Sequence, residues 1–151
     1  QSGIVSAMVG LLNAPKNTKL FMQLEAEKRI TNEATGNNTD YSMNFIPKMN
    51  INEVIEGYKK IIQNIYATRP YYKRIRRMLL NYNKPQIKQA KISYPLFKAF
   101  IKSAFIIGLL NKGRSEYWKL IFWTLFTRPR SIVDAITFTV YGYHYQKVFR
   151  L

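Results

Sequence analysis

The side chains that carry most covalent and metal chemistry are scarce in this chain. Its 151 residues include no Cys and a single His, His144. A thiol nucleophile, a Cys-ligated zinc or iron–sulfur site and a disulfide framework are therefore excluded within these residues. A Ser–His pair would have to run through His144, which lies between Tyr143 and Tyr145 on a mostly apolar helix and reads as a partly buried packing residue. The eight carboxylates are scattered. Glu25 and Glu27 face different directions on a helix, Glu53 reads as a capping residue, and Asp134 suits a helix dipole. There is no P-loop, no G-x-G-x-x-G and no metal-spaced cluster. The residues thus assign no catalytic group, no metal site and no cofactor to this chain.

What the chain has in abundance is positive charge and aromatic surface. Lys and Arg number 24 against 8 acidic residues, a net +16. Residues 1–56 hold five basic and six acidic residues, whereas residues 57–151 hold nineteen and two (Glu116 and Asp134). A near-neutral head precedes a strongly basic body, and such asymmetry points to an anionic partner. The basic run Lys73, Arg74, Arg76 and Arg77, with Lys119, Arg128 and Arg130, is the candidate anionic-surface set. Trp118, Trp123, Tyr141, Tyr145 and Phe149 are the aromatic excess, with Lys147 and Arg150 nearby. Together these residues describe a docking face for an anionic membrane surface, since basic residues favour anionic headgroups and Trp and Tyr favour the interface. A helical nucleic-acid-binding module, or a protein-interaction module, is the alternative. No reading motif supports it.

The elements that position these residues follow from periodicity. Ile4–Leu12 (IVSAMVGLL) reads as a strand buried on both faces of a sheet. Residues 13–17 form a turn, and Asn17 or Thr18 caps a helix over about 19–29. One βα unit cannot complete a sheet, so neighbouring strands must come from elsewhere: another copy, which predicts self-association, or a longer polypeptide. A chain that starts in mid-pattern without Met is expected to be a piece of something longer. Residues 31–49 are a polar loop with a short extended segment at 41–46. Four helical stretches follow the Asn50 cap and the helix at 51–66. They are expected at about 68–82, 94–111, 116–127 (capped by Ser115) and 131–149, with a polar linker at 83–91. The last helix carries two apolar stripes. Ile132, Val133, Ile136, Val140 and Tyr143 form one, and Phe138, Tyr141, Tyr145 and Phe149 the other. The longest apolar run is far short of the ~20 residues of a spanning helix, and no leader is visible. A cytoplasmic protein, or one peripheral to a membrane, is expected. The predicted class is mainly α.

Five strings occur in one order: AMVGLLNAPKNTKL at 7–20, GNNTD at 36–40, MNFIPKM at 43–49, IEGYKK at 55–60 and YATRPYY at 66–72. They resemble the C-terminal region of cobalamin-binding radical SAM proteins, the group that includes hopanoid methylases. The resemblance is specific over residues 4–82 and looser beyond. It implies that residues 1–30 are the last strand and helix of a partial (β/α) barrel, 31–49 a connecting loop and 50–151 a helical, basic C-terminal domain. It further implies a parent enzyme with an upstream barrel and cobalamin domain in the same polypeptide. That enzyme would use a 4Fe-4S cluster, S-adenosylmethionine and cobalamin for a group transfer such as methylation, in some members of a lipid. The present chain would be its non-catalytic end, closing the active site or docking substrate or membrane. Asn13, Lys16, Thr18, Asn37, Asn38, Asp40 and Asn44 lie in the matching strings and are the candidates for positions beside substrate or cofactor. Asn17 stands where the family pattern has Gly. Asn tolerates positive φ better than other non-Gly residues, so the turn is expected to survive.

Overall fold

The computed structural model describes residues 3–32, 35–36, 41–82 and 94–149, the side chain of Leu96 apart. The protein is mainly α-helical. It divides into two compact units, Met8–Asn64 and Gln1–Ala7 with Ile65–Leu151. The expected linker at 83–91 lies outside the described residues.

The segment Ile4–Leu12, of which Ile4–Ala7 belong to the unit of Ile65–Leu151 and Met8–Leu12 to that of Met8–Asn64, departs from expectation. It forms no strand, and no strand exists among the described residues. Burial alternates along it, with Val5 inside and Ile4, Met8 and Leu12 outside. The period is that of an extended chain, but a strand is a pairing, and this segment has no partner here. The turn that follows is built as the residues dictate. Asn17 adopts φ +68°, and the Thr18 hydroxyl accepts from the Phe21 N–H at 3.2 Å, capping α1 (Lys19–Ala26). The helix stops three residues sooner than its basic C-terminal pair suggested. Lys28 takes φ +56°, the Arg29 N–H donates to the Leu24 carbonyl and the Lys28 N–H to that of Glu25. This is a Schellman ending with Lys in the usual Gly position.

Ile30 and Phe45 then form an isolated antiparallel bridge, clamped by Arg29, whose Nε donates to the Ile46 carbonyl at 2.8 Å. Ala14, Leu24 and Phe45 are the buried centre, packed by Leu20, Phe21, Ile30 and Met43. Asn50 begins α2 (Ile51–Tyr66), its side chain accepting from the Asn52 N–H at 2.9 Å. The Tyr58 hydroxyl reaches back to the Val9 carbonyl at 3.0 Å.

The second unit holds α3 (Thr68–Asn81), α4 (Tyr94–Phe105) continued by a π-helical turn (Ile106–Leu110), α5 (Arg114–Thr127), a 3-10 turn (Pro129–Ser131) and α6 (Ile132–Val148). Tyr71, Ile75, Leu79, Tyr117 and Leu120 are its centre. Gly113, not Ser115, precedes α5, without a side-chain cap; it sits in a turn closed by the Asn111 Oδ1 accepting from its N–H at 2.7 Å. Glycine also decides two crossings. Gly108 brings its carbonyl to the Trp118 indole N–H at 2.9 Å, and the ring lies 3.1 Å from where a Cβ would stand. At Gly142 a Cβ would overlap the Tyr71 ring, whose hydroxyl donates to the Phe138 carbonyl at 2.8 Å. The face of α6 that is buried is therefore Ala135, Thr139 and Gly142, a row of small residues between the two apolar stripes.

Candidate functional site

Because α6 buries its small face, its first large stripe is left to line something else. Ile132, Val133, Ile136, Val140 and their neighbours Thr137 and Tyr141 form one wall of a groove of 480 Å³. Phe97, Ala99 and Phe100 of α4 and Ile121 and Leu125 of α5 form the others. Two hydroxyl groups, of Thr137 and Tyr141, are the polar side-chain functions in this lining. The Thr137 hydroxyl is turned to its own helix, donating to the Val133 carbonyl at 2.8 Å. Such a lining has the size and chemistry of a site for an apolar molecule. None of its lining side chains is charged.

The second stripe of α6 behaves differently. Tyr145 stacks on Tyr66 at 4.7 Å between ring centres, and Phe149 on the same ring at 6.0 Å. The Tyr66 hydroxyl is itself held by the Ala7 carbonyl at 2.9 Å, and Gln146 Nε2 donates to the Tyr66 carbonyl at 2.8 Å. Tyr141 is exposed at the groove. Burial pushes the phenols of Tyr66, Tyr71, Tyr72 and Tyr117 upward in pKa, since the phenolate cannot be solvated there.

The basic candidates are not equivalent. Lys73, Arg76 and Arg77 are exposed. The Arg76 guanidinium lies 4.7 Å from the Trp123 ring centre. Arg74 is half-buried, donates to the Ile65 carbonyl at the end of α2 and lies over Tyr71. Lys119 is exposed and pairs with Glu116 at 3.0 Å. Arg128 is half-buried and Arg130 exposed. Trp118 is half-buried, tied to Gly108 and stacked on Phe122 at 5.6 Å. His144, expected partly buried, is exposed, because it follows Gly142 around to the outer side of α6.

In the first unit, Asn13 and Asn44 act as a pair. The Asn44 amide bonds both backbone groups of Ala14, Oδ1 accepting and Nδ2 donating, each at 2.8 Å. Asn13 Oδ1 accepts from the Asn44 N–H at 3.0 Å. These amides serve the backbone of two loops. Thr18 serves as a cap and Lys16 is exposed. Asn37, Asn38 and Asp40 lie outside the described residues. Among the described residues no three His, Asp or Glu gather as a metal site would require, and no helix is long and apolar enough to cross a membrane.

Residues 18–151 match a family profile described as a domain of unknown function, DUF4070. The chain belongs to the DUF4070 family. One relative of this DUF4070 chain is an uncharacterized methyltransferase from Synechocystis sp., 27% identical over 149 residues. The match covers 96% of the DUF4070 chain and 28% of that protein, so the chain spans little more than a quarter of the relative's length. No solved structure matches the chain.

The groove is what sequence reasoning missed. Its α6 wall was legible as an apolar stripe, but a large stripe reads as core. The signal against that reading was the spacing of Ala135, Thr139 and Gly142, at i, i+4 and i+7 on one face.

Proposed function

We propose that this DUF4070 chain is the C-terminal region of a cobalamin-binding radical SAM enzyme that transfers a methyl group, and that its groove receives the apolar part of the substrate. The observation that carries the reading is the groove itself: a built cavity of 480 Å³ with apolar walls in a chain without a catalytic constellation among its described residues. The methyltransferase name of a relative that extends well beyond the matched region supports it. So do the five ordered strings.

The cofactors do not fit here. With no Cys in the sequence and no gathered His, Asp or Glu among the described residues, the chain lacks a donor set for a 4Fe-4S cluster. The groove has no charged group to meet S-adenosylmethionine or the phosphate and amides of cobalamin. The chain's own contribution is binding and exclusion of water, and any group transfer would occur on the upstream barrel.

The experiment uses the longer polypeptide from the same gene. An upstream Cys-x-x-x-Cys-x-x-Cys motif and reductive cleavage of S-adenosylmethionine to 5′-deoxyadenosine are expected. Ile136→Trp, which fills the groove, should leave that cleavage intact and abolish binding of an apolar dye that long-chain lipids displace from the parent chain. A polypeptide without the three cysteines rejects the enzyme class. A dye bound equally well by Ile136→Trp rejects the groove.

A further inference from the structure

The outer side of α4 is unusually apolar for a helix with so little covering it. Phe97, Ile101 and Phe105 are each more than half exposed, and Tyr94 is 78% exposed. At about 100° per residue these four fall within a sector of about 80°. Lys98 and Lys102, both exposed, lie along one border of that sector. The π-helical turn extends the surface with Leu109 and Leu110. Trp118 joins this turn to α5 by its bond to Gly108 and its stack on Phe122. On α5 the most exposed large hydrophobic side chain is Phe126, 82% exposed.

We propose that this face docks on an anionic bilayer surface, with the α4 stripe and Phe126 entering the headgroup region and Lys98 and Lys102 meeting lipid phosphates. Charge complementarity selects the occupant. Residues 65–151 carry seventeen Lys and Arg against two acidic residues, so a second copy would bring like charge against like across a face bordered by lysines. Nucleic acid would satisfy the lysines and stack on aromatic rings, but has no use for Ile101, Leu109 and Leu110. A bilayer interface takes all three classes: aliphatic side chains, aromatic rings and flanking lysines whose stems lie on the apolar surface. The face differs from the one expected at Trp118, Trp123, Tyr141, Tyr145 and Phe149, of which Trp118, Trp123, Tyr145 and Phe149 have their rings engaged within the unit, while Tyr141 is exposed at the groove. Phe97 belongs both to the stripe and to the groove wall. If the groove binds an apolar substrate, which rests on the function proposed above, docking would open it to the membrane; docking itself does not depend on that reading.

Co-sedimentation of the full chain with phosphatidylcholine vesicles, with and without phosphatidylglycerol, tests this. Binding to the anionic vesicles, lost at high salt, is expected. Lys98→Glu with Lys102→Glu should weaken partitioning by about tenfold or more, and Ile101→Asp with Phe126→Asp should weaken it at low salt as well. All four side chains are exposed, and circular dichroism confirms that the variants remain folded. Phe126→Trp supplies a second readout: its emission should shift blue on anionic vesicles and be quenched by brominated lipid. Ile136→Trp should bind vesicles as the parent chain does, which separates failure of the groove from failure of docking. Wild-type partitioning by the Ile101/Phe126 variant overturns the proposal. So does binding of duplex or single-stranded nucleic acid, or a dimer broken by Ile101→Asp, without binding to anionic vesicles.

Discussion

The Asn44 amide, paired with Asn13, ties two loops of the first unit together. Its side chain is buried and matches the donor and acceptor of Ala14, so it replaces a strand neighbour for one residue. Asn44→Ala would leave the Ala14 N–H and C=O buried without partners. We expect a loss of about 2–4 kcal/mol in stability, measured by urea unfolding, with Asn44→Asp also destabilising because the carboxylate cannot donate to the Ala14 carbonyl. The opposite sign is expected at Lys28. Its φ of +56° costs a residue with a Cβ more than it costs glycine, so Lys28→Gly should stabilise by about 0.5–1 kcal/mol and Lys28→Val should destabilise. Equal midpoints for Lys28→Gly and the parent chain would contradict the strain argument.

Helices in the second unit are matched by what is missing from them. Tyr71 of α3 lies where α6 has no side chain, at Gly142, and hydrogen-bonds the carbonyl one turn earlier. Because the Tyr71 ring is fully buried, it has no room to yield. Gly142→Ala should therefore destabilise by about 1–3 kcal/mol, despite the better helix propensity of Ala. In a double-mutant cycle with Tyr71→Ala, which removes the ring, the cost of Gly142→Ala should largely vanish. An additive cycle would mean that the crossing is not set by this contact. The Gly108–Trp118 pair follows the same logic. There the helix ends in a π-helical turn and the indole satisfies one of its last carbonyls.

At the scale of the whole molecule, the second unit keeps four of its phenols dry. Tyr66, Tyr71, Tyr72 and Tyr117 have folded-state pKa values raised above the usual phenol value of about 10. For a raised pKa, the unfolded chain loses the proton first. The stability these groups contribute is present below about pH 10 and falls as the pH climbs from there toward the folded values. Alkaline titration followed by tyrosinate absorbance and helical circular dichroism checks this. The phenols of Tyr66, Tyr71, Tyr72 and Tyr117 should ionise only together with the loss of helical signal. A single smooth titration of all phenols with the helix intact would refute this.

Local chemistry was legible from the residues alone. The Thr18 cap, the Asn17 turn, the Asn50 cap and the extent of α2 all depend on groups within a few positions of one another, and the sequence places those groups directly. So does the mainly helical class, because amphipathic period is a property of each helix by itself. Two features were not legible. A strand at 4–12 requires a neighbour, and no pattern in a segment reveals whether its partner is present. The groove arose because α6 had three faces that could pack and tertiary contacts chose the smallest one, where the Tyr71 ring and the helix backbone approach most closely. That choice depends on the shape of α3 rather than on the hydrophobicity of α6. Only the assembled helices could turn an apolar stripe that reads as core into the wall of a cavity.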